Sequence, residues 1–198
     1  MTARTLLLAL ALPVLTATTV LTAPGVALAG DLKGVVELFT SQGCSSCPPA
    51  DAELARLAEQ DGVLALSYHV DYWNYLGWTD TLSSKASTDR QYGYAKTFRR
   101  GNVYTPQAVV NGQDHVNGAD GAAIRTMLDT FSSNGGGLTV EVSARMNADE
   151  LRISVGAGEG KADIVAVYFD DSSTVKIGRG ENSGRTITYR HSVRDIET

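Results

Sequence analysis

Only two cysteines occur in 198 residues, alongside three histidines. Two cysteines exclude a multi-bridge disulfide scaffold. The histidines, His69, His115 and His191, are scattered with none of the ligand spacing that zinc sites show, and each reads as structural. Basic charge is also short: 17 Lys+Arg against 22 Asp+Glu give a formal net charge of −5, with no basic cluster beyond Arg99-Arg100. That balance argues against nucleic acid and anionic membrane surfaces as partners. No G-x-S-x-G elbow supports serine hydrolysis, and there is no internal repeat or low-complexity tract. At the N-terminus, Arg4 precedes an apolar run, Leu6 to Leu15, and Ala27-Leu28-Ala29 fits the A-x-A cleavage rule. Residues 1–29 therefore read as a signal peptide cut after Ala29. Pro13, Thr16, Thr18 and Thr19 make this a poor membrane anchor, since a span needs ~20 mostly apolar residues. The mature chain is expected to be exported, periplasmic or secreted, with no stable membrane span and in a compartment where disulfides persist.

What the chain does have is concentrated in VVELFTSQGCSSCPPAD, residues 35–51, where both cysteines form one C-x-x-C. Such a pair is a structural clip, half a metal site or a redox couple.

The surrounding pattern alternates strand and helix. Gly34–Phe39 reads as a short buried strand, and Ala50, Leu54, Leu57 and Ala58 recur at helical spacing before Gly62 stops the helix. Val63–His69 is a second strand, followed by the aromatic loop DYWNYLGWTD. Ser84 can cap a helix reaching Phe98, with Tyr94 and Phe98 paired at i,i+4. Asn111-Gly112 is a strong hairpin turn between Gln107–Val110 and Asp114–Val116. Ile124, Met127, Leu128 and Phe131 mark one face of a third helix. The expected fold is α/β, ordered β-α-β, linking helix, β-β-α. Ser132–Gly137 reads as a linker, and residues 138–198 as a small all-β segment. There Leu138, Val140, Val142, Ala144 and Met146 alternate, as do Leu151, Ile153 and Val155, and ADIVAVYF is a more buried strand. The final VRDIET shows no evident strand.

A strand ending in VVELFT, a C-x-x-C at the next helix and VYTPQAVVNG before a hairpin resemble the thioredoxin fold. More closely, ELFTSQGCSSCPPAD, YHVDYWNYLGW, TPQAVVNG and GRGEN together look like a bacterial family of secreted thioredoxin-like proteins known only as a domain of unknown function. The match covers nearly all of the mature chain, and the family brings no established substrate. The resemblance implies a thioredoxin-like domain over residues 30–131. It also implies a cis-proline at Pro106 facing the cysteines, and a buried acid at Glu37 that moves a proton off the resolving cysteine.

A C-x-x-C at a helix N-terminus has a physical use, because unpaired N–H groups and the helix dipole favour thiolate over thiol. Cys44 would be the nucleophile and Cys47, less exposed and less activated, the resolver. Pro48 weakens the dipole argument, since it lets the helix start only at Pro48 or Pro49 and leaves both sulfurs outside the first turn. Glu37 relays a proton if it points inward and is an edge residue if it faces water. Thr105-Pro106 would offer backbone for pairing with an extended substrate chain. Trp73 and Asp71, in the aromatic loop with Tyr72, Tyr75 and Trp78, would form either a wall selecting substrates or a fold over the sheet edge. GRGEN reads as a turn whose Arg179 could reach the site rim. The leading expectation is an exported thiol–disulfide oxidoreductase acting on protein or small-molecule thiols and disulfides, with a redox partner protein among its expected partners. It needs no cofactor and no metal. The competing expectations are a binding module with a structural Cys44–Cys47 disulfide and a Cu(I)-type carrier, the latter lacking an evident third ligand.

Overall fold

The computed structural model describes residues 26–28, 32–134, 140–147, 150–159 and 161–198. Its elements in chain order are β1 (Val26–Leu28), β2 (Gly34–Thr40), α1 (Pro48–Ala58), β3 (Val63–His69), α2 (Lys85–Thr97), β4 (Gln107–Val110) and β5 (Asp114–Asn117). They continue with α3 (Gly121–Ser133), β6 (Val142–Asn147), β7 (Glu150–Val155), β8 (Ala166–Lys176) and β9 (Thr186–Glu197). The fold is α/β. A six-stranded mixed sheet has the order β5-β4-β2-β3-β9-β8, and a separate small sheet has the order β1-β6-β7. In the large sheet β2 runs parallel to β3 and antiparallel to β4, which pairs antiparallel with β5. The order β-α-β, linking helix, β-β-α therefore stands in the core.

Each core element has a local reason. Proline occupies the first positions of α1, where the missing N–H costs nothing. The Ser84 side chain caps α2 by accepting from Ser87 N (3.1 Å), and Asp120 caps α3 by accepting from Ala123 N (3.0 Å). Asn111 (φ 51°) and Gly112 (φ 65°) turn the β4–β5 hairpin through the left-handed region that a two-residue loop of this kind needs.

The sheet has two buried faces with different contents. On one, Val36 and Leu38 of β2 pack with Ala50, Leu54 and Leu57 of α1 and with Ile124 and Leu128 of α3. On the other, Phe39, Tyr68 and Val70 pack beneath Tyr94 and Phe98 of α2. Strand alternation sends successive side chains of β2 to opposite faces, so Glu37 and Phe39 look toward α2 while Leu38 and Thr40 look toward α1. Each fully buried leucine stabilises the fold by about 1.5–3 kcal/mol relative to an exposed one.

The C-terminal β elements divide between the sheets instead of forming one appendage. The β8–β9 hairpin joins the core sheet, with β9 running parallel to β3 through the Ser67–Ser192 pair. It covers an edge that would otherwise expose unpaired backbone groups. Tyr189 and Val193 are buried there, and within VRDIET, which shows no strand in the sequence, Val193–Glu197 forms the end of β9. β6 and β7 pair antiparallel, and Met146, Leu151 and Val155 of their alternating apolar positions are exposed among the described residues.

The expected boundaries shift accordingly. The linker run begins inside α3, which extends to Ser133, and its glycines lie outside the described residues, as does Leu138. The expected signal peptide also lies outside them, except for Val26–Leu28, which pairs with β6. No helix among the described residues is long and apolar enough to cross a membrane.

Candidate functional site

Cys44 and Cys47 are joined in a disulfide with Cα atoms 5.4 Å apart. Two overlapping turns lead into the helix: Cys44 N donates to Ser41 O (3.2 Å) and Cys47 N to Cys44 O (3.2 Å). Cys47 is the N-cap of α1, and its carbonyl accepts from Ala50 N (2.8 Å) and Asp51 N (3.0 Å). The helix therefore starts after both sulfurs, as the proline pair implies. The exposure contrast expected between the cysteines is absent, because both have 0% relative exposure. Packing explains this: the loop before the helix is held from two sides. On one side Asp80 accepts from Gln42 N (2.8 Å), and Trp78 Nε1 donates to Gln42 Oε1 (2.8 Å). On the other, Asn182 Nδ2 donates to Gln42 O (3.0 Å) and Cys44 O (2.8 Å), while Glu181 accepts from Ser45 N (3.0 Å).

The Thr105–Pro106 peptide bond is cis. Pro106 stands opposite the first turn of α1. Gly118 donates its N–H to Pro106 O (3.1 Å), and a Cβ at Gly118 would lie 3.2 Å from Ala50 Cβ and 3.4 Å from Pro106 Cβ. Trp73 ties this loop to the cysteine loop. Its Nε1 donates to Thr105 Oγ1 (2.8 Å), and its Cβ would be 3.1 Å from a Cβ on Gly43, the residue before Cys44. The structure thus brings Cys44, Cys47, Trp73, Thr105 and Pro106 into one region. Asp71 does not join them. It turns to α2, where its N–H donates to Thr88 Oγ1 (3.0 Å) and its carboxylate accepts from the same hydroxyl (2.6 Å).

Glu37 is also elsewhere. It is buried against α2, where Arg90 Nη2 (2.7 Å) and the Tyr94 hydroxyl (2.7 Å) both donate to its Oε1, and Arg90 Nε donates to Oε2. Its strand parity sends it to the face away from the cysteine-bearing helix, so the proton relay expected of it has no route. A strand position of opposite parity three residues on, Thr40, reaches the relevant face, and its Oγ1 donates to Asp51 Oδ1 (2.7 Å).

Asp51 is the acid that sequence reasoning missed. It sits one turn into α1 from Cys47, and burial raises its carboxyl to about 7, with the Asp80 charge adding to the effect and His69 and the Thr40 hydrogen bond opposing it. Its Oδ2 has no partner among the described residues, nor do His69 Nε2 and the Tyr189 hydroxyl. His69 Nδ1 donates to Asp80 Oδ2 (2.8 Å), both side chains being fully buried, and the His69 ring packs edge-on against Tyr189 at 4.7 Å. Burial works to raise the Asp80 carboxyl, but His69 and the backbone N–H groups of Gln42 and Leu82 outweigh it and hold it below the usual range. Burial, reinforced by the two carboxylates, pushes the Tyr189 phenol up. A polar cluster from α1, β3, the aromatic loop and β9 therefore lies behind the disulfide. Its signal in the sequence was the spacing of Asp51 four residues after Cys47, one helical turn.

The other expected features have structural partners. His115 accepts or donates with the Tyr104 hydroxyl (2.8 Å), and His191 Nδ1 donates to Ala65 O (2.8 Å). In GRGEN it is Glu181 and Asn182, not Arg179, that touch the cysteine loop. No group of three or more His, Cys, Asp or Glu among the described residues is arranged to hold a metal ion.

No curated protein matches the chain. A crystal structure of a protein from Agrobacterium tumefaciens is 54% identical, covering 84% of this chain and 72% of that one with a TM-score of 0.77. A family model described as protein of unknown function (DUF1223) matches residues 35–198, well over half of the chain, and this chain belongs to that family.

Proposed function

We propose that the protein is an exported thiol–disulfide oxidoreductase built on a thioredoxin-like core, with Cys44 as the attacking thiol and Cys47 as the resolver. The observation that carries the reading is Asp51, a buried carboxyl with an oxygen unpartnered among the described residues, placed one turn from Cys47 and raised by burial to about 7. A buried, half-satisfied carboxyl is costly to keep unless proton exchange there has a use. In the reducing direction the Cys44 thiolate attacks a substrate disulfide, forming a mixed disulfide and releasing one substrate thiolate. Cys47 then passes its proton to ionised Asp51 and attacks Cys44 Sγ. The Cys44–Cys47 bond forms, and the second substrate sulfur leaves as thiolate. Thr105, held by Trp73, would offer its backbone to an extended substrate segment.

A second reading has its own observation. Both cysteines are fully buried and their loop is clamped by Asn182, which suits a structural disulfide in a binding module. A trapping experiment separates the two. Under the redox reading Cys47→Ala leaves an attacking thiol without a resolver and accumulates mixed disulfides from an extract of the native compartment, released by reductant. Cys44→Ala accumulates few. If neither variant traps a partner and the wild type neither reduces nor oxidises a model disulfide, the binding-module reading replaces the redox one.

A further inference from the structure

The loop carrying the disulfide is closed by a part of the chain 138 residues away, Asn182. The turn between β8 and β9 folds on itself: Ile177 N donates to Arg185 O (2.9 Å), Gly184 N to Ile177 O (2.9 Å) and Ser183 N to Gly180 O (3.1 Å). It is therefore a compact unit on the end of a long hairpin. Three hydrogen bonds attach it to the cysteine loop, two from Asn182 and one to Glu181, and Gly178 and Gly180 bring its backbone against Trp78. A Cβ at Gly178 would lie 3.1 Å from Trp78 Cζ3, and one at Gly180 would lie 3.3 Å from Trp78 Cβ. With the turn seated, Cys44 and Cys47 have no exposed surface, although Ser45 and Ser46 between them are exposed. No thiolate can make the in-line approach to a sulfur that exchange requires.

The seating is also incomplete. Asn182 gives both amide hydrogens to the cysteine loop, but its Oδ1 is buried without a partner among the described residues. Lifting the turn hydrates that oxygen together with the freed carbonyls of Gln42 and Cys44, so part of the loss is returned by water. Glu181 is fully exposed, and its carboxyl is lowered by the Ser45 hydroxyl and N–H. It is a surface tether and Asn182 is the inner one.

The geometry points to the Gly178–Asn182 turn as a gate over the disulfide, latched by Asn182 and Glu181, whose local opening sets how fast any thiol reaches Cys44. Its role in the protein's chemistry rests on the redox reading above, whereas the test reads access alone.

The test follows reduction of the intact protein by excess dithiothreitol, with timed alkylation and mass measurement of the Cys44–Cys47 peptide. The pair takes up two electrons and two protons as dithiothreitol closes to its cyclic disulfide. With a gate, the wild type is reduced slowly, at a rate that is flat in low urea because opening is local and not global. Asn182→Ala, losing two latch bonds, is reduced about tenfold faster or more, and Glu181→Gln about two- to threefold faster. Wild-type reduction that climbs with urea along the global unfolding slope overturns the gate. So does an Asn182→Ala protein that melts cooperatively yet is reduced at the wild-type rate. Should Asn182→Ala fail to fold, the surface variant Glu181→Gln and the urea dependence of the wild type decide the matter alone. A failed gate with successful trapping by Cys47→Ala leaves the redox reading standing; the reverse pattern leaves a gate over a structural disulfide.

Discussion

Among the carboxylates buried against the central sheet, Glu37 on one face and Asp51 on the other are treated in opposite ways. On the α2 face Glu37 is saturated: Arg90 grips both oxygens, Tyr94 adds a third donor, and the Arg90 guanidinium lies 5.4 Å from the centroids of the Tyr68 and Tyr94 rings. On the α1 face Asp51 has, among the described residues, one hydroxyl donor, an unpartnered oxygen and no arginine. Burial is nearly the same, with residue exposures of 5% and 4%. Burial therefore does not distinguish them; the partners do. A saturated ion pair is suited to holding a helix on a sheet, while an under-satisfied acid raised to about 7 is suited to exchanging its proton within the ordinary pH range.

The largest effect should come from breaking the saturated side. Glu37→Gln removes the charge facing Arg90 and leaves a guanidinium whose side chain is only 26% exposed without its counter-ion. Removing one partner of a buried pair costs about 3–5 kcal/mol, and the partial exposure of Arg90 places this case at the lower end. Urea unfolding should show the loss, while trapping by a Cys47→Ala, Glu37→Gln double variant should persist. Loss of trapping in a folded double variant would return Glu37 to the chemistry.

On the other face the expected signature is in pH. The Asp51 carboxyl is raised from 3.8 to about 7 in the folded protein, so between those values the native state holds more protons than the unfolded one. Its contribution to stability is then greatest at low pH and is lost as pH rises from about 4 toward 7, beyond which the full penalty for the buried charge remains. Asp51→Asn keeps a group able to accept from Thr40 and abolishes that slope, so it should gain on the wild type by on the order of a few kcal/mol at pH 8 and little or nothing near pH 4. Resolution of a mixed disulfide should slow about tenfold or more in the same variant for want of a proton acceptor. Parallel stability–pH curves for the two proteins would show that Asp51 does not titrate in this range.

This contrast also marks where the sequence was legible. Elements with strong local signals were readable: the Ser84 cap, the Asn111-Gly112 turn and the apolar spacing of Ala50, Leu54 and Leu57. So was the cis Thr105–Pro106 bond, which the family resemblance implied, whereas the aromatic loop carrying Trp73 was compatible with either a wall beside the cysteines or a cover over the sheet edge. Glu37 could not be assigned, because a carboxylate between Val36 and Leu38 is compatible with either face, and only the position of Arg90 on α2 decides which. Asp51 was hidden for a related reason: its burial comes from His69, Asp80 and Tyr189, contributed by β3, a loop and β9. The hairpin that seals the disulfide was beyond local reading as well, since nothing near GRGEN signals that β9 will pair with β3.

The smallest expected effect tests the joint between the aromatic loop and the Thr105–Pro106 loop, which flank the sheet at the end where β3 stops and β4 starts. The two tryptophans of the chain donate to different loops: Trp73 to Thr105 Oγ1 and Trp78 to Gln42 Oε1. Trp73→Phe keeps most of the ring's packing and removes only the N–H, so about 1 kcal/mol should be lost. Thr105→Val removes the acceptor at nearly constant volume and should lose a similar amount. If the bond joins the two loops, the double variant should cost clearly less than the two singles added, with a coupling of about 1 kcal/mol in a double-mutant cycle. Trp78→Phe combined with Thr105→Val is the control and should be additive within about 0.5 kcal/mol. A cycle in which Trp73 and Thr105 are as independent as that control would remove the link between the aromatic loop and the candidate substrate backbone, leaving Trp73 as packing against Gly43 and the apolar cluster around Phe39.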